Sequence, residues 1–391
     1  MLYLNLISFI FIIYASFVQY RARSAAIVFS IFFLCYVVFP LLIPIEIYFV
    51  GEDAFASASF ITIAFCAGYL ISQCVSLGRP VYRLNQINLL ISKTRLIYLG
   101  AFYLLSFYII IVVVLSNFSR EISSLYFNNR LQIAYVFSLA ILMWTAKKPI
   151  DRYKVYFLLT LVSFMLFLSG SRIYIVPSIL FIFLFKLSFD QNKRNVLLLS
   201  LVAFILLLSV SLFRNFDGEL FSLRSVVGLF GEFYFTHLSF LLVLDGQISF
   251  PHKFYEGVLS FLFPYLLPDI DTNSDRYINQ IVAFDFGLAS SFFNDIALYQ
   301  QNFIFPYFFS GLLIGLFYKI ISVKSSGIAR IFSLIFLSFT PILFRSGIFY
   351  TFALIKTLVI YIIIIGITSW IFSLFGRSGR VVPQVEIKCG E

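Results

Sequence analysis

Arginine is the side chain best suited to gripping phosphate oxygens, because its planar guanidinium offers forked donors and keeps its charge at a low-dielectric boundary. Three arginines stand where long apolar runs end or turn: Arg172 in Ser169-Gly170-Ser171-Arg172, Arg214 after the run 196–213, and Arg345 in Arg345-Ser346-Gly347. Converging, they have the chemistry to hold a diphosphate, with Arg224 next in line. The competing reading is that each one reaches separately to lipid headgroups while its stem stays on apolar surface. All three fall on the side of the chain where basic residues are disfavoured, and together they favour the shared site.

Proton transfer has other candidates. Glu232 and His237 interrupt an otherwise apolar stretch at 226–244, and either could take a proton from a hydroxyl group. Five residues of helix separate them by about 140°, so they do not form a pair on one face. Glu232 needs a partner in that setting, and Arg224 is within reach of the same broad face. The bland reading of His237 is a satisfied interfacial imidazole, and His252 reads as a solvated loop residue. Lys356 lies eight residues past Ile348, where the last apolar run begins. That is about 12 Å along a helix, and an ionisable group at such depth is a candidate for substrate binding. Arg276 and Asp295 complete the set of substrate-binding candidates. Arg276 sits in the polar loop 268–280 with Asp269, Asp271 and Asp275, which lacks the Gly and terminal Glu of a calcium loop. Carbohydrate contact or solvation suits those acids better than a metal. Asp295 follows Ser290, Ser291 and Asn294 at the start of an apolar run, which is by itself a good helix-opening signal.

The elements that must position these groups are set by composition. Hydrophobic residues make up 61% of the 391 and charged residues only 12%, about half the charged share of a soluble domain. Lipid is the solvent that fits such a chain. The expected fold is an all-α, polytopic bundle of about 11 spans, with runs near 2–20, 25–50, 58–77, 96–115, 131–146, 155–170, 173–189, 196–213, 296–318, 329–345 and 348–374. The first run has no basic flank or cleavage site and reads as a retained span. Four parts follow: an N-terminal bundle (1–213), one long connection (214–295), C-terminal spans (296–376) and a tail (377–391).

The net charge of +10 is a topology signal rather than a nucleic-acid footprint, since the basic residues lie between apolar runs. Arg21, Arg79, Lys93, Lys147, Lys148, Lys193, Lys319, Lys324 and Arg377 all fall in alternate connections. The positive-inside rule makes these cytoplasmic, with the N-terminus outside and the C-terminus inside. The connection 214–295 then lies outside. A single crossing at 226–244 would invert Lys319, Lys324 and Arg330, so that stretch reads as an interfacial, amphipathic or re-entrant helix at the outer mouth. Cys35, Cys66 and Cys74 sit inside apolar runs and Cys389 in the tail, which suggests neither a disulfide nor a metal site. No internal repeat is visible, which weakens a transporter reading.

The outward Ser169-Gly170-Ser171-Arg172, the long late outer connection, and Gly287-Leu288-Ala289-Ser290-Ser291 leading into Asn294-Asp295-Ile296-Ala297-Leu298-Tyr299 resemble Wzy-type O-antigen polymerases. Gln300-Gln301-Asn302-Phe303-Ile304 stands where members often carry an Asn-Phe-Gly turn. The resemblance implies a glycosyltransferase-C-like fold in a bacterial inner membrane. It implies transfer of a growing glycan from undecaprenyl diphosphate to a lipid-linked repeat unit on the periplasmic face. Donor and acceptor are then both undecaprenyl-diphosphate-linked oligosaccharides, membrane lipid is the surrounding partner, and a chain-length regulator is a fitting protein partner. No cofactor is needed, because fixed guanidinium groups stabilise a departing diphosphate without a metal. An O-antigen ligase-like enzyme shares the donor and is the nearest alternative, and a flippase or transporter of lipid-linked sugars is the more distant one.

Overall fold

The computed structural model describes residues 2–21, 24, 26–42, 51–75, 85–119, 126–127, 129–145, 149–169, 176–189, 233, 236–247, 256, 259, 304–322, 328–344, 354–361, 363–364 and 367. Every described element is helical, with no strand among the described residues. In chain order they are α1 (Leu2–Arg21), α2 (Ile27–Phe33), α3 (Glu52–Cys74), α4 (Asn85–Leu115), α5 (Asn129–Thr145), α6 (Pro149–Leu168), α7 (Val176–Phe189), α8 (Ile304–Ser322) and α9 (Ile328–Ser338). Shorter helical stretches lie at 236–244, 340–344 and 354–361. Three described helices are long and apolar enough to cross a membrane: Tyr3–Arg21, Glu52–Cys74 and Ile97–Leu115. The expected span 196–213, most of the long connection and the tail lie outside the described residues.

Three helix starts precede their hydropathy runs: those of α3, α4 and α6, the last at Pro149 where 155 was expected. The third run was expected from 58, yet α3 begins at Glu52 with Glu52 and Asp53 in its first turn. Acids there interact well with the positive end of the helix, although they lower hydropathy. α4 begins at Asn85, well before the expected 96, because Asn85, Gln86, Asn88, Lys93, Thr94 and Arg95 lower the hydropathy of its first turns. Helical hydrogen bonding continues past the point where apolar side chains stop.

The surfaces of α1 and α4 are inside out relative to a water-soluble helix. On α1 the buried side chains include Asn5, Ser8 and Gln19, whereas Leu6, Ile10, Tyr14 and Phe17 are exposed. On α4, Ser106 is buried and Leu104 is 72% exposed, with Phe107 and Ile111 exposed on the same side. A soluble amphipathic helix presents the opposite arrangement.

The tightest pairing joins α3 to α8. Phe65 meets Gly311, Gly68 meets Phe308 and Leu312, and Ser72 meets Gly315, so the two helices run parallel. A Cβ on Gly68 would strike the Phe308 carbonyl oxygen, and one on Gly311 the Phe65 carbonyl oxygen. Gly311 and Gly315 are spaced as in the small-residue motif that lets helix backbones touch. One turn further on, the Lys319 ammonium donates to the carbonyl oxygens of Ser72 (3.2 Å), Gln73 (2.6 Å) and Val75. These carbonyls at the end of α3 have no partner within their own helix.

Beside this pair, α1, α2 and α3 share a buried polar trio. Gln19 Nε2 donates to the Tyr69 hydroxyl at 2.7 Å, and the Ser30 hydroxyl donates to Gln19 Oε1 at 2.7 Å. Phe29 is the hub of the surrounding aromatic core, with ring centroids 5.1 Å from Tyr69, 4.6 Å from Tyr318 and 5.2 Å from Phe344. The Tyr318 hydroxyl lies 3.1 Å from Thr340 Oγ1. Thr340 also donates to the Leu337 carbonyl at 2.7 Å, the acceptor that Pro341 has no N–H to satisfy.

Candidate functional site

The site begins with a proline. Pro40 cannot donate to the carbonyl of Tyr36, and its ring crowds that carbonyl. The turn before it widens: Leu34–Val38 form a π-helical turn, closed by Phe39 N–H to the Leu34 carbonyl at 2.8 Å, and Pro40–Leu42 follow as a 3-10 turn. Asn5 of α1 donates to the Leu41 carbonyl in that 3-10 turn at 2.7 Å. Such widened turns occur often at functional positions. Here the turn carries Tyr36, which is buried.

Two segments meet on that ring. Phe233 packs edge-on against Tyr36, with centroids 4.7 Å apart and planes at 90°. Phe344 stacks on it at 5.9 Å with planes 16° apart. Phe233 directly follows Glu232 in the chain, and Phe344 directly precedes Arg345. Glu232 and Arg345 themselves lie outside the described residues.

The stretch 236–244 continues from this contact. Thr236 to Val243 are all buried, so this part of the 226–244 stretch has no solvated face. It ends in a left-handed cap. Gly246 has φ +74°, Gln247 N–H reaches the Leu242 carbonyl at 3.0 Å, and Gly246 N–H reaches Val243 at 3.2 Å. Glycine adopts this conformation without strain. Asp245, just before the cap, faces Gly51 at the start of α3, where a Cβ would meet its Oδ1 at 3.0 Å.

His237 lies in this stretch, only 2% exposed, its ring 5.7 Å from that of Phe240. Burial pushes the imidazole down to about 3, below its ordinary 6.5, because a low-dielectric setting disfavours the charged form. It is therefore a neutral imidazole, able to accept or donate a hydrogen bond but a weak proton acceptor. Lys356 stands in a different environment. It is exposed on the helical stretch 354–361, whose Leu354 and Leu358 are buried. Arg172, Arg214, Arg224, Arg276 and Asp295 lie outside the described residues.

No family model, curated protein or solved structure matches the chain. What bears on function is therefore the arrangement itself, and parts of it escape a reading of residue types. Tyr36 has no chemical signature beyond the nearby Pro40, which marks a break in the run 25–50. Lys319 reads in the sequence as one more basic residue in a connection, whereas it holds the end of α3. Gly311 and Gly315 carry a readable spacing, but their partners Phe65 and Ser72 are remote in sequence.

Proposed function

We propose that this chain is a polytopic membrane glycosyltransferase of about 11 spans, glycosyltransferase-C-like in fold, that polymerises O-antigen repeat units at the periplasmic face of a bacterial inner membrane. Membrane residence is supported by α1 and α4, which keep amides and hydroxyls inside and leave aliphatic and aromatic side chains outside; lipid is the solvent for such a surface. The parallel pairing of α3 and α8 supports the orientation. With five spans between them, zero or two crossings in 214–295 keep the two parallel, and one crossing would oppose them. The buried stretch 236–244 favours the re-entrant form of that connection.

The observation that carries the enzymatic half is the meeting of Phe233 and Phe344 on Tyr36. It brings Phe233, the residue after Glu232, and Phe344, the residue before Arg345, onto one ring. In the proposed reaction Arg172, Arg214, Arg224 and Arg345 hold the diphosphate of the donor. Charge grows on that group as it leaves, and preorganised guanidinium groups favour the transition state over the ground state. The anomeric carbon–oxygen bond to undecaprenyl diphosphate breaks as the acceptor sugar hydroxyl forms the new glycosidic bond. The hydroxyl proton passes to Glu232, with His237 neutral beside that segment. Arg276, Asp295 and Lys356 serve the glycan or the lipid-linked ends.

A deletion strain tests this directly. Lipopolysaccharide core capped by a single repeat unit is the expected product; core with no repeat indicates a ligase or a flippase instead. Replacing Arg172 or Arg345 by Ala should collapse the chain-length ladder at normal expression, and an unchanged ladder from both variants sinks the diphosphate assignment.

A further inference from the structure

We infer that the end of α7 and the first turns of α6 form a binding site for an anionic phospholipid. Lys154 and Lys186 hold the headgroup phosphate, and an exposed stripe of α6 lies along an acyl chain. The inference rests on the membrane residence proposed above and not on the glycan chemistry. α6 packs on α4 and α5, whereas α7 packs on α5 and α9. The two are bridged by Lys186, in the last turn of α7, whose ammonium lies over the Tyr156 ring of α6 at 5.4 Å from its centroid.

Tyr153, Phe157, Phe164 and Leu168 are exposed on α6, Tyr153 and Phe157 most of all at 71% and 73%. Helical geometry puts these four within about 60° of arc, a single stripe. Phe164 lies about 15 Å along the helix from Lys154, which is half of a hydrocarbon core of roughly 30 Å. The stripe therefore matches one leaflet. Lys154 is exposed and stands about 100° to one side of Tyr153, while Tyr156, with Lys186 over its ring, stands about 60° to the other. Two ammonium groups from different helices thus straddle one apolar track near one level.

Charge selects the lipid. From 147 to 154 the sequence carries Lys147, Lys148, Arg152 and Lys154 against Asp151, and basic groups between helices at a membrane boundary favour anionic headgroups over zwitterionic ones. Arg21 provides the contrast. It also ends a helix with an exposed apolar side, and its guanidinium lies 5.0 Å from the centre of the Phe17 ring, but that ring belongs to its own helix. Such a cation reaches to bulk headgroups without defining a site.

The experiment uses the full chain, extracted from membranes in a neutral detergent and stripped of lipid. Short-chain phosphatidylglycerol or phosphatidylcholine is titrated in, and the melting temperature and the lipid retained in native mass spectra are read. Phosphatidylglycerol should be retained and raise the melting temperature; phosphatidylcholine should do neither. Lys154→Gln and Lys186→Gln should each weaken the apparent affinity for phosphatidylglycerol about 5-fold, and the double variant roughly 25-fold. Arg at both positions should restore it, and Arg21→Gln should leave it unchanged. Phe157→Ser should weaken it with both lysines in place. Equal retention of phosphatidylglycerol by wild type and the double Gln variant overturns the site, as does an equal loss in Arg21→Gln. An equal effect of phosphatidylcholine, or of inorganic phosphate, overturns the assignment to an anionic lipid. A chain that stays in solution when membranes are pelleted overturns the membrane reading itself. A chain that pellets with them but does not discriminate between the lipids overturns the site alone.

Discussion

The two ends of α3 are held by different means. At the Val75 end, backbone meets backbone: Gly68, Gly311 and Gly315 bring α3 and α8 into direct contact, and the Lys319 ammonium closes over three carbonyl oxygens. At the Gly51 end the neighbours are an exposed aspartate, Asp245, and beyond it a buried stretch that packs through aromatic rings onto Tyr36. Backbone contacts between helices tolerate little change. Ring contacts allow small tilts at modest cost, which suits the proposed admission and release of a long glycan. The first end serves as scaffold, and the second carries the segments assigned to chemistry.

The largest effect that would sharpen this contrast is expected at Gly311. Gly311→Val forces a side chain into the Phe65 carbonyl, part of a backbone that cannot rotate away. We expect a loss of about 3 kcal/mol or more, seen as a collapse of folded yield and of the melting temperature in detergent. Gly315→Ala meets the Ser72 hydroxyl, the Ser72 Cβ and the Tyr69 ring edge rather than a carbonyl, of which only the hydroxyl turns aside freely, and should cost about 2 kcal/mol. If the two variants melt alike, the backbone contact is not what holds this end.

Lys319→Met comes next. It removes the cap from the end of α3 and should cost about 1–2 kcal/mol, with chain extension retained in the folded fraction. Loss of turnover without loss of stability would break the division between scaffold and working end. The smallest effect concerns pH. With its value near 3, His237 stays neutral throughout the range in which an exposed histidine titrates. The rate profile from pH 5 to 8 should carry no inflection from His237, and His237→Gln should leave its shape unchanged. For stability the sign follows from the depressed value. The contribution of the buried neutral imidazole is complete above about 6.5 and declines as pH falls toward 3, because there the unfolded chain takes up a proton that the folded chain refuses. His237→Gln should flatten that acid-side decline.

Much of the helical layout was readable in the runs of apolar residues. Leu2–Arg21, Asn129–Thr145 and Val176–Phe189 lie close to their expected bounds, since there the apolar run and the helix end together. Glu52 and Asn85 show where the two diverge: hydropathy reports the solvent around a helix, and hydrogen bonding carries the helix beyond it. The π-helical turn Leu34–Val38 that follows α2 was not readable, because a run of apolar residues does not distinguish it from an α-helical turn. Pro40 was the available clue. For the site, residue types pointed to arginine, glutamate and histidine, and burial then separated His237 from Lys356. That Phe233 and Phe344 meet on Tyr36 depends on contacts between remote parts of the chain, and no local pattern encodes it.

The Lys319 bond to Ser72 spans 247 residues of sequence. At a synthesis rate of about 5–20 residues per second, roughly 10–50 s separate the emergence of α3 from that of its partner α8. Through that interval the groove around Gly68 and the carbonyls at the end of α3 wait unfilled. During biogenesis the early helices are thus an unfinished socket that needs temporary cover, from the insertion machinery or from lipid. A chain truncated before α8 should be a substrate for membrane quality control rather than a smaller stable protein.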